Sequence, residues 1–184
     1  MFTKVRFAPS PTGLLHVGGL RTALYNYLYA KKVGGKTVLR IEDTDQTRKV
    51  DSAVENLLDS FKRLNIHFDE GPNIGGDKGP YYQSQRLSIY EDSIKILLKK
   101  GSAYPCFCTS ERLVDLREKL AEERKTIKYD RYCLELSNRE IQSRMDAEQY
   151  VIRMKVPKED KVVFYDVIRN KISIKCAELD DQVL

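Results

Sequence analysis

Short apolar strands alternate with amphipathic helices through the first hundred residues, and this order constrains the fold more than any other feature. Thr3–Ala8 alternates apolar and charged side chains, which predicts a strand. The next segment repeats apolar residues every three or four positions until Gly34-Gly35, which predicts a helix. Thr37–Ile41 then predicts a second strand. Strands that alternate with helices in this way are typical of a parallel α/β sheet of the doubly wound type.

The same order continues to about residue 101. Ser52-x-x-Glu55 predicts a capping box at the start of a second helix, whose buried apolar stripe would be Val54, Leu57, Leu58 and Phe61. A short strand is expected near 66–68. Residues 71–82 carry four glycines and two prolines and predict a loop. A third helix is expected to end at Gly101.

The pattern changes after residue 104 and predicts a separate α+β unit. A charged helix is expected over 110–125, and Ser137-x-x-Glu140 predicts a second capped helix. An alternating strand follows over 150–156, and Arg169-Asn170 predicts the turn of a hairpin. We therefore predict two domains, residues 1–104 and 105–184.

Composition and charge exclude several classes of protein. Hydrophobic residues make up 41% of the 184 residues, which argues against a disordered chain. There is no apolar run of about 18 residues and no secretory signal, so we expect a cytoplasmic protein without membrane association. The net charge of +5 falls entirely on residues 1–104, which permits an anionic partner such as a nucleotide or nucleic acid.

A glycine-rich turn between the first strand and the first helix is the first candidate site. Gly13, Gly18 and Gly19 would let the backbone approach a ligand closely, and His16 offers a donor to phosphate oxygens. The N-terminus of a helix after a parallel strand is a common phosphate-binding place. The alternative is an ordinary strand–helix turn with a satisfied histidine.

Neighbouring motifs favour the phosphate-binding interpretation. Arg6–Gly13 reads Arg-Phe-Ala-Pro-Ser-Pro-Thr-Gly, His16–Gly19 follows, and Arg40–Asp45 reads Arg-Ile-Glu-Asp-Thr-Asp. Together they resemble bacterial glutamyl-tRNA synthetases, a family of class I aminoacyl-tRNA synthetases, in which His16–Gly19 matches the HIGH signature. The resemblance continues through Cys106-x-Cys108 to Leu179-Asp180-Asp181 and so covers the whole chain. It implies half of a doubly wound, Rossmann-type parallel sheet with an inserted α+β domain that binds the tRNA acceptor end.

The resemblance also implies a substrate set of L-glutamate, ATP with Mg²⁺, and the acceptor end of tRNA(Glu). For glutamate it implies Arg6 as a carboxylate fork, Ala8 through its backbone, Ser10 as a hydroxyl donor and Glu42 as the counter-charge of the ammonium. A salt bridge between Arg6 and Glu42 is the alternative for those two side chains.

For ATP the resemblance implies little covalent work by the protein, so positioning and charge stabilisation would dominate. The residues expected to stabilise the phosphoryl centre are His16, Gly18, Gly19 and Thr12. The residues expected to bind ATP are Pro11, Thr12, Gly13, His16, Gly18 and Gly19.

Cysteines form the second candidate site. Cys106, Cys108 and Cys133 supply three thiols, one ligand short of a tetrahedral structural zinc site. The resemblance implies that the fourth ligand is Tyr129, with Glu135 as an alternative. Three small buried side chains without a metal are the other interpretation. Cys176 is expected to be a packing residue.

The sequence has no KMSKS-type loop and no anticodon-binding helical domain, and we expect a monomeric fragment of a longer enzyme that does not aminoacylate at a useful rate. The closest rival is glutamyl-queuosine tRNA(Asp) synthetase. A non-catalytic RNA-binding module and a small HIGH-superfamily nucleotidylyltransferase are further alternatives. Within the inserted domain, Arg112, Arg117 and Lys119 are candidate contacts to the acceptor stem.

Overall fold

The computed structural model describes residues 2–44 and 52–184, so Asp45 of the acidic motif lies outside the described residues. Contacts divide the chain into two compact units, Met1–Ile89 and Tyr90–Leu184. Both contain helices and short strands, as the predicted α/β class requires. The predicted functional division at residue 104 remains a prediction.

The first unit begins with a parallel strand pair connected through a helix. The elements are β1 (Lys4–Phe7), α1 (Val17–Val33), β2 (Lys36–Leu39) and α2 (Ala53–Arg63), followed by a 3-10 turn at Gln83–Arg86 and by α3 (Leu87–Lys99), which crosses into the second unit. Strands β1 and β2 pair in parallel, with Arg6 opposite Val38. Helix α1 ends where Gly34 adopts a left-handed backbone with φ of 64°.

The other edge of β2 carries single bridges rather than a strand. Val38 forms a parallel bridge with Glu70, and Ile41 forms one with Tyr82. The strand predicted near 66–68 is therefore wrong. The Asp69 carboxylate accepts the Thr37 N–H at 2.7 Å, a donor that a strand carbonyl would otherwise take. The backbone of residues 66–70 therefore does not pair with β2 as a regular strand.

The core of this unit lies between α1, α2 and the β1–β2 pair. Leu39 and Ile41 are almost fully buried, and Phe61 meets the rings of Phe7 and Phe68 edge-on. The predicted apolar stripe of α2 faces this core. The stripe therefore fixes α2 beneath the carboxyl end of β1.

Glu70 holds the following loop in place. Its buried carboxylate accepts a hydrogen bond from the Tyr81 hydroxyl at 2.9 Å and pairs with the Lys4 ammonium at 2.5 Å. The Tyr81 oxygen in turn accepts the N–H of Lys78 at 3.2 Å. Gly76 sits against this cluster with φ of 133°, a conformation that favours glycine.

The second unit contains most of α3, two further α-helices and two antiparallel strand pairs. The elements are β3 (Ala103–Cys106), α4 (Ser110–Glu122), α5 (Asn138–Ala147), β4 (Val151–Met154), β5 (Lys161–Asp166) and β6 (Asn170–Lys175). Strand β3 pairs with β4, and β5 pairs with β6. Asn170 has the left-handed backbone expected at the hairpin, with φ of 61°.

Of the two predicted capping boxes, the one at Ser137 forms and the one at Ser52 does not. At Ser137 the box is complete, because Ser137 Oγ accepts the Glu140 N–H and a Glu140 carboxylate oxygen accepts the Ser137 N–H. At Ser52 it is absent, because a helical backbone there (φ −81°, ψ −5°) keeps the hydroxyl from bonding the first turn of α2. The box predicted at Ser52 and Glu55 is thus wrong, although the helix is present.

This difference gives a matched pair of variants. Ser137→Ala is expected to lower the free energy of unfolding by about 1 kcal/mol, because it leaves an N-terminal amide of α5 without its acceptor. Ser52→Ala is expected to change it by only a few tenths of a kcal/mol, since no capping bond is lost. Urea unfolding followed by circular dichroism measures both, and equal losses would contradict the assignment.

Within residues 2–44 and 52–184, no helix has the length and apolar character that crossing a membrane requires.

Candidate functional site

Five of the predicted ligand-binding residues line one cavity of about 400 Å³ in the first unit. They come from the turn after β1 and the start of α1, and they are Ser10, Thr12, Gly13, His16 and Gly19. The rest of the lining includes Phe7 and Leu57 from the core. Apolar walls with a few hydroxyl, imidazole and backbone donors are typical of a small-molecule site.

His16 is also the N-cap of α1. Its backbone is extended, and Nδ1 accepts the Gly18 N–H at 3.1 Å. A neutral His16 therefore carries its proton on Nε2. Among the described residues no protein group bonds to Nε2, and the ring is exposed. This arrangement leaves one N–H donor beside the cavity.

The helix N-terminus adds positive potential at the same place. The first turn of α1 contains no acidic residue to offset the helix dipole. The structure favours glycine at position 18, because a Cβ there would lie 2.8 Å from His16 Cε1 and displace the ring. The turn is thus suited to an anionic group, with His16 held in place by the helix that it caps.

The residues expected to bind glutamate do not belong to the lining of this cavity, except for Ser10. Arg6 is exposed on β1, and Ala8 follows that strand half-buried. Glu42 accepts a hydrogen bond from Arg40 at 3.2 Å, and no ion pair joins Glu42 to Arg6. The salt bridge considered as the alternative for Arg6 and Glu42 is therefore not observed.

Sequence reasoning missed Arg40 and Asp43. Asp43 is buried and accepts both the N–H (2.9 Å) and the hydroxyl (2.7 Å) of Ser84, which ties the segment after β2 to the 3-10 turn. Asp43 also lines a second cavity of about 470 Å³ together with Pro11. An acidic side chain in an acidic run looks solvent-exposed, so the sequence carried no signal of this burial.

The cysteine cluster is assembled as predicted. The sulfur atoms of Cys106, Cys108 and Cys133 all lie within 4.8 Å of one another. The Tyr129 hydroxyl lies 3.3 Å from the sulfurs of both Cys106 and Cys108, whereas Glu135 is exposed and outside the cluster. The arrangement brings Tyr129, rather than Glu135, to the three thiols.

The surroundings of the cluster suit thiolate ligands. The Phe107 N–H donates to Cys133 Sγ at 3.3 Å, and the Arg112 guanidinium lies 3.5 Å from Cys108 Sγ. Both stabilise negative charge on sulfur. Burial, reinforced by the neighbouring thiols, raises the pKa of Cys108 to about 11. A cation would therefore have to displace a proton there, which makes binding dependent on pH.

Arg112 is already engaged by protein groups. It pairs with Asp130 at 2.5 Å and its guanidinium lies 4.5 Å from the centre of the Tyr132 ring. Arg117 and Lys119 are exposed on α4. Of the three candidate acceptor-stem contacts, Arg112 thus has a structural role beside the cysteines.

Comparisons with known proteins agree with this fold. The parallel β-α-β unit and the histidine-capped helix beside a cavity fit the class I aminoacyl-tRNA synthetases that the sequence motifs resemble. The family model of the class I tRNA synthetases (E and Q), catalytic domain, matches residues 3–184. The chain belongs to this family.

Similar proteins extend well beyond the length of this chain. The glutamate–tRNA ligase of Clostridioides difficile is 47% identical over 193 residues, covering 100% of the chain and 39% of the relative. The glutamate–tRNA ligase of Clostridium kluyveri is 50% identical, and the match covers 98% of the chain and 37% of the relative. Among solved structures, a glutamate tRNA ligase from Elizabethkingia meningosepticum in complex with its amino acid matches with a TM-score of 0.90 at 38% identity. The match covers 100% of the chain and 38% of that relative. The chain spans somewhat over a third of these relatives.

Proposed function

We propose that the chain is part of a glutamate–tRNA ligase, which activates L-glutamate with ATP and transfers it to the 3′ end of tRNA(Glu). In the first step a glutamate carboxylate oxygen attacks the α-phosphorus of ATP, and the bond to pyrophosphate breaks. In the second a hydroxyl of the terminal ribose attacks the acyl carbon and AMP leaves. Mg²⁺ accompanies ATP as part of the substrate.

The observation that carries this proposal is the donor set at the start of α1. The Nε2–H of His16 and the backbone N–H groups of the first turn lie beside a cavity that Thr12 also lines. Such donors stabilise charge that develops on phosphate oxygens without taking part in covalent chemistry. Pro11, Gly13, Gly18 and Gly19 shape the backbone of the same turn.

Recognition of glutamate is assigned to Arg6, Ala8, Ser10 and Glu42, of which Ser10 alone lines that cavity. A guanidinium at Arg6 can hold a carboxylate through two parallel hydrogen bonds, and Glu42 can accept the ammonium. Arg40, 3.2 Å from Glu42, keeps that carboxylate oriented. The bound amino acid of the Elizabethkingia meningosepticum relative supports an amino-acid site in this fold.

Calorimetric titration with a non-hydrolysable glutamyl-adenylate analogue tests the proposal. The chain is expected to bind it, and Glu42→Ala is expected to weaken binding about 10- to 100-fold, because a hydrogen bond to a charged group contributes about 1.5–3 kcal/mol. Glu118→Ala, an exposed carboxylate on α4, is the matched control and should bind as the unaltered chain does. Unchanged affinity in Glu42→Ala would overturn the ammonium role.

For the second unit we propose a structural zinc ion and contact with the tRNA acceptor end. Cys106, Cys108, Cys133 and Tyr129 would supply the four ligands, and a structural zinc ion supplies folding free energy rather than chemistry. The position of Tyr129 at 3.3 Å from two sulfurs supports this set. Elemental analysis of protein purified without chelators is expected to find one zinc ion per chain. Finding no zinc would reject the proposed metal site.

A further inference from the structure

Asp181 is an almost fully buried carboxylate that the proposed reaction does not use. It is 2% exposed, yet three donors satisfy it. The Arg131 guanidinium donates to Oδ1 at 2.6 Å, the Val156 N–H donates to the same oxygen at 3.1 Å, and the Tyr104 hydroxyl donates to Oδ2 at 2.7 Å. A polar side chain buried this deeply is costly unless hydrogen-bond donors satisfy it.

These contacts hold the loop that carries two of the proposed zinc ligands. Arg131 lies between Tyr129 and Cys133 and has a left-handed backbone with φ of 64°. For a residue other than glycine this conformation costs free energy, and the pairing of Arg131 with Asp181 offsets that cost. One residue earlier, the Asp180 carboxylate accepts the Tyr129 N–H at 3.1 Å. The Asp180-Asp181 pair therefore fixes both the start and the middle of the loop.

A second set of contacts reaches the same ligands from the strands. Tyr104, the hydroxyl donor to Asp181, lies on β3 two residues before Cys106 and opposite Arg153 on β4. Arg153 donates to the Asp181 carbonyl at 2.9 Å, and its guanidinium lies 4.2 Å from the centre of the Tyr129 ring. Asp181 is thus linked to Tyr129 through Arg153. It is linked to Cys106 through Tyr104, two residues before that cysteine, and to Cys133 through Arg131, two residues before the other.

We propose that Asp181 is a positioning residue for the zinc site, so that metal binding and docking of the segment 179–184 stabilise each other. The proposal rests on the zinc site proposed above. The segment joins β4 through two hydrogen bonds, Met154 N–H to the Gln182 carbonyl (2.8 Å) and Leu184 N–H to the Ile152 carbonyl (2.9 Å). Because such coupling is reciprocal, zinc must lower the equilibrium constant for opening of the segment by the factor by which docking strengthens zinc binding.

The test compares the 184-residue chain with Asp181→Asn, and with Asp146→Asn on the exposed face of α5 as the matched control. Competition with a chromophoric chelator is expected to show zinc affinity about 10- to 100-fold weaker in Asp181→Asn, the usual effect of losing a partner behind the ligands. Cobalt(II) in place of zinc should show weaker visible absorption there, because the tetrahedral ligand set is disturbed. Asp146→Asn should match the unaltered chain in both.

Hydrogen exchange gives the reciprocal measurement. Zinc is expected to slow exchange at Met154 and Leu184 in the unaltered chain and much less in Asp181→Asn. If Asp181→Asn fails to fold, Tyr104→Phe, which removes only one hydroxyl, should give a smaller loss of affinity in the same direction. Equal zinc affinity and equal cobalt spectra would overturn the positioning role, even if Asp181→Asn melts at a lower temperature. A chain that binds no zinc at all would instead remove the zinc site and this inference together.

Discussion

Substituting serine for Cys133 is expected to weaken zinc binding by about 100- to 1,000-fold. A structural zinc site contributes about 10–16 kcal/mol in total, so each of four ligands accounts for about 2.5–4 kcal/mol, and 1.4 kcal/mol corresponds to a factor of ten. Serine keeps an acceptor for the Phe107 N–H, which donates to Cys133 Sγ at 3.3 Å, but its hydroxyl is a poor ligand at neutral pH. The loss therefore reports coordination rather than packing.

Cys176→Ser is the matched control. Cys176 is also buried, at 4% exposure, but its sulfur does not belong to the cluster of Cys106, Cys108 and Cys133. Zinc content and affinity should be unchanged in this variant, whatever happens to its stability. If both serine variants lost zinc equally, the fold rather than the ligand set would be responsible, and the assignment would be wrong.

Gly76→Ala is expected to destabilise the first unit by about 2–6 kcal/mol, combining backbone strain of about 1–3 kcal/mol with overpacking of about 1–3 kcal/mol. With φ of 133° the position disfavours any side chain, and a Cβ would lie 2.3 Å from the Tyr81 hydroxyl and 2.6 Å from Glu70 Cγ. Relief of that contact would move Tyr81 and break its hydrogen bond to the buried Glu70 carboxylate.

Gly75→Ala separates the two contributions. Gly75 also has a positive φ, 83°, but a Cβ there would meet nothing within 4 Å. Gly75→Ala should therefore lower the free energy of unfolding by the backbone strain alone, about 1–3 kcal/mol. Thermal unfolding should rank the unaltered chain above Gly75→Ala and Gly75→Ala above Gly76→Ala. Equal melting temperatures for the two variants would show that the contact with Tyr81 is unimportant.

Local sequence patterns predicted the elements well where one face of a helix or strand decides the structure. The apolar stripe of α2, the left-handed Gly34 after α1 and the hairpin turn at Asn170 are all present. Ser137 and Ser52 show the limit of such patterns. Both head the same four-residue motif, but only Ser137 has the extended backbone that lets its hydroxyl reach the first turn.

Interactions between distant parts of the chain escaped prediction for a physical reason. A side chain such as Asp69 competes with backbone groups for a donor on β2, and no local pattern shows which of them wins. The burial of Asp43 against Ser84, 41 positions further along the chain, likewise depends on the folded geometry. The cysteine cluster was predictable because its residue types are rare and their spacing is specific.

The spacing of the cysteine cluster along the chain has a further consequence. Cys106 and Cys133 are separated by α4 and by the loop before Tyr129. A cation bound to both would close a loop of about 28 residues, which in the chain-entropy account of cross-links restricts the unfolded state by about 3–4 kcal/mol. Unlike a disulfide, this cross-link involves no oxidation of sulfur, so a phosphine reductant at concentrations that cleave disulfides would leave it intact while a strong chelator would open it.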